Sequence, residues 1–330
     1  MTGRIGRIIL VVVVAIVLVL CIAAMVTYWM VGPTPRCALP AEGPSGPGWS
    51  ARTLDSGGRE RCYHLYVPPG YNPAQPAPVV VSFHGFLSNP NSHALISGWH
   101  KLAEQEGFLV AYPQGTSFPL RWDAGSTWGA PGVNDVQFFR DMVDDMANVA
   151  AVDRSRVYVN GFSNGGGMAV RIGCEAAGEV AALGSVAGAV VEIEECSPSR
   201  PVPVMAYHGT ADPVVPYEGG EMQGWLLRWG AGAVDAPVYF VGAEDWVSLW
   251  AAGNGCDPTP DVVPAQGDAS GIRYTGCDQD AEVSLYTIDG GGHTWPGGWP
   301  IPAVGKTSTD INATGEMWQF FQRYQLEEQP

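Results

Sequence analysis

From residue 79 to residue 288 the chain repeats one unit: a short apolar run, an abrupt stop, then a longer stretch with helical spacing. Val79-Val80-Val81-Ser82-Phe83 stops at His84-Gly85, 108–112 stops at Pro113, and 157–160, 204–207 and 283–288 have the same form. Such runs are the signature of strands buried on both faces. Between and after them, 94–106, a segment capped by Asn134, and 313–324 read as helices. Behind Asn134, the residues Val136, Phe139, Val143, Met146 and Ala150 share one face. Strands alternating with helices predict an α/β fold, a mostly parallel sheet with helices on both faces. An early strand is expected at 61–67. The less regular 213–255 lies where such folds carry insertions over their sites.

This unit occupies 54–330, read as one catalytic domain. Residues 32–53 hold five prolines among glycines and serines and read as a linker. Before it, residues 8–31 contain no charge and follow Arg4 and Arg7. At 1.5 Å per residue they span roughly 36 Å, enough for a hydrocarbon core of about 30 Å. The segment is longer than a cleaved signal peptide needs, and Leu20 spoils a lipoprotein site at Cys21. It is read as one N-terminal transmembrane signal anchor, with residues 1–7 as a cytoplasmic tail and the rest extracytoplasmic (cell surface, periplasm or secreted).

Cysteine usage agrees with export. Outside the anchor lie Cys37, Cys62, Cys174, Cys196, Cys256 and Cys277. Six cysteines allow 15 connectivities; pairing sequence neighbours is the simplest and closes loops of 21 to 25 residues. Each bridge of that length contributes about 3 kcal/mol. No pair has zinc-site spacing, so no metal is expected. With 33 acidic against 17 basic residues, and a net charge of −16, no basic surface exists to neutralise phosphates. Nucleic-acid binding is excluded on that ground.

Gly161-Phe162-Ser163-Asn164-Gly165 carries the chemistry. It follows a strand and opens a helix, the setting of a nucleophile elbow, where glycines allow a sharp turn that leaves the serine exposed. A serine hydroxyl needs a base, and the base an orienting acid. Only His208 and His293 follow Ser163. His293 sits in a mobile, glycine-rich loop after the last long strand, and Asp212 follows the strand before it. Ser163, His293 and Asp212 therefore read as nucleophile, base and orienting acid. The oxyanion would be held by the N–H of Asn164 and by that of Phe86 or Leu87 in the turn after the first apolar run. His84 is read chiefly as a brace for that turn and secondarily as a cleft residue; His64, His93 and His100 read as structural or surface residues. Trp122, Trp128, Trp295 and Trp299 crowd the same loops and are cleft candidates. Asp135, Asp141, Asp144 and Asp145 read as a solvated helix face.

From Tyr63 to Tyr324 the chain resembles the polyhydroxybutyrate depolymerase-like esterases, which include feruloyl and acetylxylan esterase-like members. The resemblance rests on His84-Gly85, Asn134-Asp135-Val136, the stretch from Val152 to Gly166, His208-Gly209-Thr210-Ala211-Asp212, Asn254-Gly255-Cys256, and Gly291-Gly292-His293-Thr294-Trp295-Pro296-Gly297-Gly298. It implies an α/β-hydrolase fold, the triad Ser163, Asp212 and His293, export, and a bridge between Cys256 and Cys277. Many relatives carry cysteine where this chain has Phe86. The function expected is an exported serine esterase acting, without cofactor, on a small or polymeric carboxylic ester. An envelope acyltransferase using the same triad and a non-catalytic binding protein on a hydrolase scaffold are the alternatives.

Overall fold

The computed structural model describes residues 48–327, apart from 118, 126–131, 192, 194–195 and 223–237. The expected anchor (8–31), the tail before it and most of the linker lie outside the described residues. Among those described, no helix is long and apolar enough to cross a membrane.

In chain order come β1 (Trp49–Ser56), β2 (Arg59–Tyr66), β3 (Ala77–Phe83), α1 (Pro90–Ser97), α2 (Trp99–Glu106), β4 (Leu109–Pro113), α3 (Asp135–Ala147), β5 (Val152–Phe162) and α4 (Asn164–Glu175). Then follow β6 (Ala182–Val186), β7 (Val204–Gly209), the short pair β8 (Gly220–Glu221) and β9 (Tyr239–Phe240), α5 (Ala243–Gly253), β10 (Asp261–Gln266), β11 (Ala269–Tyr274), β12 (Val283–Ile288) and α6 (Ala313–Phe321). Ten strands form one sheet in the order β1-β2-β4-β3-β5-β6-β7-β12-β11-β10. The centre, from β4 to β12, is parallel; β1 and β2 on one flank and β11 and β10 on the other are antiparallel.

Side-chain alternation explains the two helical layers. Val79, Val81 and Phe83 of β3, with Val157 and Val159 of β5, pack with α3, α4 and α5. Val80 and Tyr158, one residue out of phase, pack with α1, α2 and α6 on the opposite face. Each face therefore buries its own set of apolar side chains, and the sheet is held from both sides.

Three readings are corrected. Residues 49–53, read as the end of the linker, belong to β1, which pairs along its whole length with β2. The helix expected at 94–106 is two helices: Gly98, at φ 67°, closes α1 through its N–H to Ala94 O and starts α2. The acidic face of α3 is partly buried. Asp135 lies beneath Arg61 at 2.6 Å, and Asp145 holds Arg52 at 2.6 Å and the Tyr63 hydroxyl at 2.6 Å. Of the two places expected for His64, His93 and His100, structural or surface, all three take the first: they are buried.

Candidate active site

β5 delivers its last residue, Phe162, to a turn in which Ser163 takes φ 56° and ψ −122°, strained for a residue with a Cβ. Three backbone bonds hold it there: Ser163 N–H donates to Val186 O at 2.9 Å, and Ser163 O accepts from Gly167 at 3.0 Å and Ala189 at 2.9 Å. α4 begins at once behind it. A Cβ on Gly165 would lie 2.2 Å from Phe83 O and 2.5 Å from His84 O, so glycine there lets the elbow press against the end of β3. The N–H of Asn164 stands in the first turn of α4, which has no intrahelical acceptor for it.

β7 and β12 supply the other half. They are adjacent and parallel, with His208 opposite Thr287 and Gly209 opposite Ile288. The loops beyond them are stitched together: Ala211 N–H donates to Gly291 O at 2.9 Å and Gly290 N–H to Thr210 Oγ1 at 2.9 Å. A Cβ on Gly209 would meet Gly291 O at 2.3 Å, so only glycine permits this approach. Asp212 Oδ1 accepts the N–H groups of Val214 at 2.8 Å and Val215 at 2.9 Å, leaving Oδ2 facing His293 Nδ1 at 2.7 Å. Burial pushes the Asp212 carboxyl up, but His293 and the surrounding donors overcome it and hold it below the ordinary aspartate value. It is therefore an acceptor. His293 Nδ1 must carry its proton, and Nε2 keeps its lone pair.

The two halves meet where the Phe162 ring lies 4.8 Å from the His293 ring. This brings the imidazole beside the residue that precedes Ser163. Among the described residues, no hydrogen bond joins the Ser163 hydroxyl to His293; such bonds commonly close only when substrate arrives. His208 does not compete for Asp212. Burial lowers its pKa, its Nε2–H donates to Val215 O at 3.0 Å, and it stands 3.5 Å from Asp212 Oδ2.

With this geometry the chain can be set beside known proteins. The sequence profile described as Esterase PHB depolymerase matches residues 61–219. "Putative esterase NocK" of Nocardia uniformis subsp. tsuyamanensis is 31% identical over 276 residues, which are 80% of this chain and 79% of that protein. The chain belongs to the PHB depolymerase esterase family. Feruloyl esterase B of Piromyces equi is 32% identical over 232 residues, 68% of this esterase but 41% of that protein, so this esterase spans about two fifths of that relative's length. The solved acetyl xylan esterase from Aspergillus awamori matches 83% of this esterase and 99% of that chain with a TM-score of 0.57 at 17% identity. That likeness places the sheet in the α/β-hydrolase fold.

The remaining expected site residues of this esterase fall into different places. Leu87 spends its N–H on Leu120 O at 3.0 Å, so it is no oxyanion donor. Phe86 stands one residue earlier in the same turn. His84 is fully buried and braces the turn: Nδ1–H donates to Gly85 O at 2.7 Å, and Nε2 accepts from Gly115 N–H at 2.9 Å. It does not line a cleft. Trp295 is also buried, its indole N–H on Thr314 Oγ1, and Trp122 is buried with its N–H on His84 O. Of the four tryptophans, Trp299 is 65% exposed and Trp128 lies outside the described residues. The bridges Cys174–Cys196 and Cys256–Cys277 are formed. Cys62 is disulfide-bonded too; its expected partner, Cys37, is outside the described residues.

Two features were not read from the sequence. The loop of His293 is not slack, since Gly292 and His293 donate to Lys306 O and Val304 O at 2.9 and 2.8 Å. And residues 119–125 form a strap across the elbow: Asn164 Oδ1 accepts Trp122 N–H at 2.7 Å while its Nδ2 donates to Trp122 O at 3.2 Å. An asparagine after a serine carries no signal of that role.

Proposed function

We propose that this esterase hydrolyses carboxylic esters through an acyl-enzyme on Ser163. The Ser163 oxygen attacks the ester carbonyl while His293 Nε2 takes its proton. His293 passes that proton to the departing alcohol, and the acyl group stays on Ser163. Water, deprotonated by the same nitrogen, then attacks the acyl carbonyl, releases the acid and restores the serine. Asp212 keeps the imidazole in the productive tautomer. The N–H of Asn164, at the N-terminal end of α4, is the donor this reading assigns to the oxyanion, with Phe86 as the second candidate.

The observation that carries this reading is the 2.7 Å contact between Asp212 Oδ2 and His293 Nδ1, made beside an elbow serine. Feruloyl, acetyl-sugar and hydroxybutyrate esters are the classes to screen, following the named relatives. The disulfides support an oxidising, extracytoplasmic compartment, and residues 8–31 would tether the enzyme there. The test is hydrolysis of short p-nitrophenyl esters together with fluorophosphonate labelling. Ser163→Ala should abolish both; a variant as active as the parent removes Ser163 from its role.

A further inference from the structure

The strap 119–125 touches the site on both sides of one residue. Leu120 O holds the Leu87 N–H, and Trp122 holds the Asn164 amide. Arg121 stands between them. Its backbone pairs with Thr116 in both directions at 3.1 Å, so the chain is locally extended and neighbouring side chains leave on opposite sides. Trp122 turns inward against Phe83 and His84.

The Arg121 guanidinium is out of keeping with the rest of the chain. The residue is 8% exposed, and its Nε and Nη1 are sealed from solvent without a hydrogen-bond partner. Among the described residues, eight other arginines pair with a carboxylate. Arg200 is caged by the carbonyls of Ala177, Val180, Ala181 and Pro201. Among the described residues Arg121 has neither, in a chain with 33 acidic residues. Burial alone pulls its pKa down, with no opposing charge to restore it. Buried cations are ordinarily paired, because an unpaired one forfeits hydration without return. A ligand anion would supply the missing partner.

We propose that Arg121 receives a carboxylate carried by the ester substrate, while the ester carbonyl sits on the Ser163 side of the same strap. The inference rests on the serine-esterase reading and narrows its substrate class to esters bearing one free carboxylate. That group could lie on the acyl half or on the alcohol half; the guanidinium chemistry is the same.

Two ester pairs separate these sources. Mono-p-nitrophenyl glutarate against its methyl ester tests the acyl half, and 3-acetoxypropanoate against its methyl ester tests the alcohol half. The unmodified protein should favour the charged member of one pair in kcat/KM by roughly 10- to 100-fold, the range of a charge-assisted hydrogen bond. In Arg121→Gln and Arg121→Met that ratio should fall to near one. A ratio unchanged in both variants, with all rates lowered together, makes Arg121 merely structural and overturns the proposal. So does a parent enzyme without preference in either pair, a result that needs no variant to fold. Failure to turn over any of the four esters refutes the serine-esterase reading itself, a different outcome from turnover without preference.

Discussion

Replacing Asp212 by asparagine should leave the site intact and stop it working. Oδ1 of Asp212 accepts two backbone N–H groups, from Val214 and Val215. In the variant the amide oxygen must stay there, because turning the amide over would set its NH₂ against both donors. Two lost hydrogen bonds cost roughly 1 kcal/mol each, and the stranded buried donors about 1–3 kcal/mol more apiece. The NH₂ is therefore directed at His293 Nδ1, 2.7 Å away in the parent. Two donors cannot share that contact, so the imidazole moves its proton to Nε2 and has no lone pair for the serine. A trapped tautomer of this kind lowers turnover ~10⁴-fold, about 5 kcal/mol of transition-state stabilisation. The assay is kcat/KM on p-nitrophenyl acetate beside a denaturant midpoint. Turnover should collapse while stability falls by no more than about 3 kcal/mol, the value of one hydrogen bond to a charged group. A loss of activity below about tenfold refutes the orienting role.

Acid should loosen the fold through its buried imidazoles. Burial pushes His84 down to about 4 and His93 to about 3, whereas an unfolded histidine titrates near 6.5. The unfolded chain thus binds protons first, so their contribution is whole above pH 6.5 and drains as pH falls toward 4. Denaturant midpoints at pH 7 and pH 5 should differ by about 2 kcal/mol for each ring; equal stability would contradict their neutral burial. Reducing Cys174–Cys196 and Cys256–Cys277, whose sequence separations are 22 and 21, should cost about 3 kcal/mol per bridge, read as a lowered midpoint with reductant. Gly165→Ala would drive a methyl group into two carbonyl oxygens of the β3 turn. It should destabilise by about 3 kcal/mol and lower turnover beyond that loss; a fully active, stable variant would disprove the tight elbow.

The central strands were legible because burial on both faces writes a continuous apolar run: Val79 to Phe83 and Val283 to Ile288 needed no other signal. On the flanks β2 was legible at 61–67, but β10 was not, being nearly all exposed, with Val262 at 80%; β6 (Ala-Leu-Gly-Ser-Val), though central, is built of residues too small to stand out from a loop. The pairing of Asp212 with His293 could be read from their places after β7 and β12. That the Leu87 N–H is already engaged could not, since that depends on a distant carbonyl, Leu120 O. Trp122 and Trp295 misled for a related reason: their indole N–H groups found buried acceptors, His84 O and Thr314 Oγ1, and nothing local in the sequence announces those partners.

The loops of Asp212 and His293 are joined backbone to backbone, and Ser163 belongs to neither. In the proposed mechanism proton handling thus belongs to one backbone-joined pair of loops and the attacking oxygen to a separate turn, with β6 as the spacer between strands β5 and β7. Each ladder step is about 4.8 Å wide. The gap that a proton would cross is then set in part by the seating of β6, and substitutions at Gly184 or Ser185 are a route by which reactivity could be tuned from behind the proposed triad.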